Sequence, residues 1–88
     1  MTVSLLDVID TPHATMRSQG ETLYEAILPH IQDNEMIQVD MAGIKSLTTN
    51  FLACSVGRLC NEFEEAAGLI EFVNCENTFF PELIGKFI

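Results

Sequence analysis

The sequence predicts a small α/β fold, a β-α-β-α-β-α sandwich whose mostly parallel sheet carries packed helices. Short aliphatic runs alternate with segments of helical period, the links between them are short, and the chain has only 88 residues. Alternation of this kind argues for strands joined by right-handed crossovers. At this length folding buries only about 60% of the chain's surface, so residues 1–88 are expected to form a single domain with one continuous core.

The first element, "TVSLLDVI" (Thr2–Ile9), is short and aliphatic, which suits a buried strand. "DTPHATMRSQG" reads as a loop, with Pro12 and Gly20 as breakers. In "ETLYEAILPHIQ", Leu23, Ala26, Ile27 and Ile31 fall on one helical face. Pro29 removes a hydrogen bond there and crowds the preceding turn, so this helix is expected to kink or end early. A turn at Asp33-Asn34 leads to a second strand, Glu35 to Met41, with Val39 in a central position. Leu52, Val56, Leu59 and Phe63 then recur at four, three and four residues, flanked by Phe51, Ser55 and Cys60. That broad stripe is the clearest helical signal in the chain. Gly68 is its natural stop, able to take positive φ. "LIEFV" (Leu69–Val73) is a third strand. "TFFPELIGKFI" (Thr78–Ile88) closes the order as a short helix, with Pro81 in its first turn and Phe80, Leu83, Ile84 and Phe87 available for docking.

Composition narrows the function classes. Apolar residues make up 48% of the chain and charged ones 19%, which argues for a folded domain. No apolar run is long enough to span a bilayer, and the start lacks a basic region and carries Asp7 and Asp10, so the expected address is the cytoplasm. Thirteen acidic against four basic side chains give a net charge of −9. Nucleic acid and anionic lipid should repel such a chain, so neither is an expected partner. The charge serves solubility or attracts a basic partner, at the extreme by imitating DNA.

Cys54, Cys60 and Cys75 include no C-x-x-C pair. Cys54 and Cys60 fall on roughly opposite faces of a helix, so they cannot jointly hold one metal, and all three cysteines are expected as reduced thiols packed like small hydrophobes. His13 and His30 belong to no ligand motif, and no metal site is expected. The chain has no G-x-G-x-x-G, no phosphate-binding G-x-x-x-x-G-K-[ST] and no G-x-S-x-G elbow. No cofactor and no catalytic residue is expected, and the chain reads as a non-enzyme.

The junction "SLTTNFL" carries the functional question. Thr48 or Thr49 can cap the helix, its hydroxyl accepting from an N–H two or three residues on, and Thr49 is the expected cap. The other threonine is either a β-branched end to the strand or a hydroxyl offered to a phosphate, which exposed N–H groups and the positive helix end would favour. Phe51 either folds back as core or presents an apolar contact.

"IQVDMAGIKSLTTNFLACSVGRL" resembles the central motif of STAS domains, the sulphate-transporter and anti-sigma-factor-antagonist family. Members show an apolar strand ending in Asp, a polar pair, Gly-Val or similar, then Asp-Ser-Ser-Gly opening a helix. Aligned from Asp40, Gly43 matches the turn glycine and Ile44 the valine. Thr48 falls on the Asp, Thr49 on the Ser phosphorylated in the antagonists, and Asn50 on the next Ser, while Phe51 replaces the Gly. The wording "G-I-x-x-L-x-x-N-F-L" and the upstream "MRSQGETLYEAI", with its Arg-x-x-Gly helix entrance, resemble still more closely a small bacterial STAS-like family of unknown function. The resemblance spans Arg17 to Asn74. It implies a STAS-like domain with a regulatory role, binding an anti-sigma-type or other ATP-binding kinase-like protein through Thr48, Thr49, Asn50 and Phe51, with phosphorylation at Thr49 as the switch. The alternative is an acidic inhibitor or nucleic-acid mimic, such as a mobile element encodes, in which Glu62, Glu64 and Glu65 would contribute.

Overall fold

In the computed structural model, which describes residues 1–76 and 79–87, a helix cap cuts the first strand short. Strand β1 covers only Thr2–Ser4, and α1 follows at once over Leu5–Ile9. The Ser4 Oγ accepts from the Asp7 N–H at 3.4 Å, and Asp7 adds an acidic group to the first turn. Both features favour a helix start. The strand expected over Thr2–Ile9 is therefore corrected to its first three residues, while Leu5 is buried as a helical side chain. Asp10 ends α1 in the left-handed region (φ 58°), its N–H donating to the Leu6 carbonyl at 2.8 Å.

The expected loop up to Gly20 is corrected too. It holds β2 (His13–Ala14) and the first turn of α2 (Arg17–Gln32). The Gln19 side chain turns back to accept from the Met16 and Thr15 N–H groups at 2.9 and 3.0 Å, satisfying donors at the helix start. Pro29 does not end α2 early, since the helix runs on to Gln32. Glu25 and Pro29 are both exposed, so the carbonyl that loses its donor lies on the solvent side. Strand β3 (Ile37–Asp40) follows, and a turn at Met41–Ile44 then closes with the Ile44 N–H on the Met41 carbonyl at 3.0 Å. Gly43 supplies the positive φ, 84°, that this turn requires.

Strand β4 (Ser46–Leu47) leads into α3 (Thr49–Cys54), and α4 (Val56–Glu62) comes directly after it. The predicted stripe is present, but two helices carry it. Between them Ser55 leaves the helical region (φ −109°, ψ −94°), and its buried Oγ donates to the Phe51 carbonyl at 2.9 Å. Serine back-bonding of this kind competes with the backbone ladder and bends helices. Leu52, Val56 and Leu59 are fully buried. Phe63 is only half-buried, because α4 stops there with Phe63 extended and its N–H on the Leu59 carbonyl at 2.8 Å. Gly68 is not the stop either. It sits within a single turn, α5 (Ala66–Leu69), without positive φ. Strand β5 (Ile70–Val73) and α6 (Phe80–Gly85) complete the order. The final helix was expected over Thr78–Ile88, whose Thr78 and Ile88 lie outside the described residues.

Among the described residues the main sheet has the order β1-β3-β5 and is parallel throughout, with Val39 paired to Val3 and Phe72. A second, two-stranded parallel sheet joins β2 to β4. The α/β class and the parallel strands with packed helices are as expected. The two-residue strands and the helical turns α1 and α5 are additions to the simple alternation. Leu5, Ile27, Ile31, Val39, Phe51 and Leu59 belong to one buried cluster that joins sheet and helices. Among the described residues no helix is long and apolar enough to cross a membrane.

Candidate functional site at the start of α3

Thr48 binds four partners at once, one of them the Leu52 N–H, which donates to the Thr48 carbonyl at 3.2 Å. The Thr48 N–H donates to the Ala14 carbonyl at 3.1 Å, its Oγ1 donates to the Thr15 carbonyl at 3.0 Å, and the same Oγ1 accepts from the Phe51 N–H at 3.3 Å. Its extended backbone (φ −122°, ψ 160°) is that of an N-cap. The cap expected at Thr49 is thus corrected to Thr48, because only the residue that leaves β4 is still extended and level with Thr15. Thr49 stands one residue inside the helix, exposed. Among the described residues its hydroxyl has no hydrogen-bond partner, and neither has the exposed Asn50 side chain. Phe51 is fully buried. Its expected role as a contact side chain is corrected, since an enclosed ring anchors α3 in the core and offers a partner no surface.

The neighbouring helix is set by the same geometry. Because β2 and β4 run parallel and each feeds a helix, the starts of α2 and α3 lie at the same end of the small sheet. Gly20 lets the two helices approach. A Cβ there would stand 2.6 Å from the Phe51 carbonyl oxygen and 2.9 Å from the Cys54 Cβ. The glycine of the Arg-x-x-Gly sequence is therefore a packing glycine, and the breaker role expected for it does not hold. Met16, 60% exposed, precedes α2 at this end, with Arg17 and Ser18 also exposed.

A second polar cluster closes the carboxyl ends of β3 and β5. The Asp40 Oδ1 accepts from the Ala42 N–H at 2.9 Å and from the Asn74 Nδ2 at 3.0 Å. Hydrogen bonds to the charged form, the Ala42 N–H first and Asn74 second, hold the Asp40 carboxyl below the usual carboxylate range. The Glu76 Oε1 accepts from the Gly43 N–H at 3.3 Å. The cluster fixes the turn after β3, which in turn sets where β4 and Thr48 begin. The expected strand Glu35 to Met41 is corrected to Ile37–Asp40. The STAS resemblance marked Asp40 as a strand end, and sequence reasoning missed Asn74, whose signal is a polar residue directly after the third strand.

Tyr24, Arg58, Glu62, His13 and His30 are engaged in structural contacts. Tyr24 donates its hydroxyl to Glu62. The Arg58 guanidinium lies 4.0 Å over the Tyr24 ring, with its Nε 3.4 Å from Glu62. This triad ties α2 to α4, and the bond to Glu62 pushes the Tyr24 phenol above its ordinary value. The His13 Nδ1 meets the Ser46 Oγ at 2.9 Å, and the His30 Nδ1 meets a Glu35 carboxylate oxygen at 3.0 Å. Cys54, Cys60 and Cys75 are free and half-buried, and burial pushes the Cys60 and Cys75 thiols up. Among the described residues no group of three or more His, Cys, Asp or Glu is placed to hold a metal ion.

No curated protein and no solved structure matches the chain. A family model described as a STAS-like domain of unknown function (DUF4325) matches residues 19–78, a span that takes in α2 from Gln19 on, the Asp40 turn, Thr48 and β5.

Proposed function

The chain belongs to this family of STAS-like domains, and from that premise we propose that it is a regulatory protein-binding module with no chemistry of its own. Its contact surface is the start of α3, presented by Thr49 and Asn50. The observation that carries this reading is the division of labour between adjacent threonines. Thr48 spends its hydroxyl on Thr15 and Phe51, while the Thr49 hydroxyl is exposed and has no partner among the described residues. A helix cap needs one such residue, so the second is available for recognition.

In this reading the partner is an ATP-binding, kinase-like or anti-sigma-type protein, and Thr49 is the switch. The Thr49 Oγ1 attacks the γ-phosphorus of the partner's ATP, the hydroxyl proton leaves, and ADP departs. The product carries about −1.5 to −2 charges beside the positive end of α3. Thr48 stands where the antagonists carry Asp, so capping of the helix rests on a hydroxyl in place of a carboxylate.

The test is affinity purification from the native host, followed by titration of the co-purified protein against wild type and Thr49→Glu. A weakening of tenfold or more, about 1.4 kcal/mol, supports the surface. Mass spectrometry after incubation with that partner and ATP should find phosphate on Thr49 and none on Thr49→Ala. If Thr49→Glu binds normally while Glu64→Lys with Glu65→Lys abolishes binding, the acidic-mimic reading takes its place. Glu62 is left out of that charge reversal because it holds Tyr24 and Arg58.

A further inference from the structure

We infer that the open groove between β5 and α6 docks an extended, basic segment of a partner protein, which adds to β5 as a further strand. The groove is about 320 Å³ and is lined by Ile70, Glu71, Phe72, Cys75, Pro81 and Ile84, with Gly85 at its end. It shares no residue with the start of α3. Strand β5 stands at the edge of the main sheet, and among the described residues no strand pairs with its outer side. An unpaired edge presents backbone donors and acceptors to an incoming chain, and extended peptides use such edges.

Two features define the occupant. Alternate side chains of a strand point to opposite faces, so Ile70 and Phe72 offer an apolar floor on one side and Glu71 a carboxylate on the other. Ile70 is buried, Phe72 half-buried and Glu71 exposed. The Glu71 carboxylate has only a neutral neighbour, the Gln38 Nε2 at 3.5 Å. Arg58, the nearest base in sequence, is held by the Tyr24 ring and Glu62, and Lys86 lines a different recess with Ala53, Gly57 and Phe87. The complementary strand alternates an apolar residue with Lys or Arg. A second copy of this chain is a poor occupant, because it brings a net charge of −9 against another −9.

The probe is a synthetic peptide of about six residues, the usual length of a strand, alternating lysine and valine. A glutamate–valine peptide of the same length is its control. Titration followed by amide NMR shifts should show the lysine peptide binding, with the changes concentrated in Ile70–Val73 and Pro81–Gly85, and the glutamate peptide silent. Glu71→Lys, an exposed change that leaves the core untouched, should weaken binding at least tenfold. Thr49→Glu should leave it unchanged, so failure here is separable from failure at the start of α3. The inference is overturned by absence of lysine-peptide binding, by shifts spread evenly over the acidic surface, by shifts centred on Thr49 and Asn50, or by concentration-dependent dimerisation through β5.

Discussion

Gly20 on α2 sits so close to Phe51 on α3 that a Cβ added to it would stand 2.6 Å from the Phe51 carbonyl oxygen. That one approach couples the two helices whose starts flank Thr48 and Thr49, because backbone cannot move aside as the tip of a flexible side chain can. The small residue therefore sets the helix spacing.

Gly20→Ala is expected to destabilise the protein. Alanine gains about 1 kcal/mol of helix propensity over glycine, but overpacking costs about 1–3 kcal/mol, and here the clash also involves the Cys54 Cβ at 2.9 Å. Chemical denaturation should give a lower midpoint with an unchanged slope. A midpoint equal to or above that of wild type would mean that α2 and α3 are further apart.

The threonine pair should separate cleanly by stability. Thr48→Ala removes a cap and the bond to the Thr15 carbonyl, and is expected to cost about 0.5–2 kcal/mol. Thr49→Ala removes an exposed hydroxyl without a partner among the described residues and should stay within about 0.5 kcal/mol of wild type. Equilibrium unfolding of both variants decides it, and the reverse order would return the cap to Thr49.

This reversal shows where the sequence is legible. Strand β3 and the Leu52–Leu59 stripe were readable because many residues repeat one period, and burial of a whole face follows from that repetition. The α/β order was readable for the same reason. What escaped depends on single residues or on distant partners. "SLLD" spells a helix cap at Ser4 and Asp7, yet its aliphatic neighbours read equally well as strand. Ser55 splits one stripe into α3 and α4 through a bond to its own helix that no period reveals. Strands β2 and β4 are two residues each and exist only because they meet. Thr48 rather than Thr49 is the cap because Thr15 lies beside it, a fact of tertiary structure. At the start of α3 the sequence singles out Thr48, Thr49, Asn50 and Phe51, but which of them caps the helix, which stand exposed and which anchors the core required the fold.

Leu59→Ala tests the core beneath that site. Leu59 is fully buried on α4, within the cluster that also holds Phe51 and Val56. Truncation is expected to cost about 2–5 kcal/mol, the range for buried leucines. Thermal or denaturant unfolding measures it, and a loss below about 0.5 kcal/mol would be that of an ordinary surface position.

Asp40 should make the junction between β3 and β5 sensitive to acid. Its carboxyl is held below the usual range by the Ala42 N–H and, secondly, by Asn74. With the folded value below the unfolded one, about 3.9, the unfolded chain binds more protons between the two. Stability from this group is therefore fully present above the unfolded value, falls as pH drops through that interval, and is gone below the folded value. An NMR titration of the Asp40 side-chain carbonyl should show a midpoint below that of a free carboxylate. Asn74→Ala should move it upward without restoring it fully, since the Ala42 N–H remains. Asp40→Asn should flatten that part of the stability–pH curve. A midpoint at or above the ordinary value in wild type would mean that neither hydrogen bond holds in solution, and the turn that leads to Thr48 would have to be fixed by the Ile44 N–H on the Met41 carbonyl and by the bond of Gly43 to Glu76.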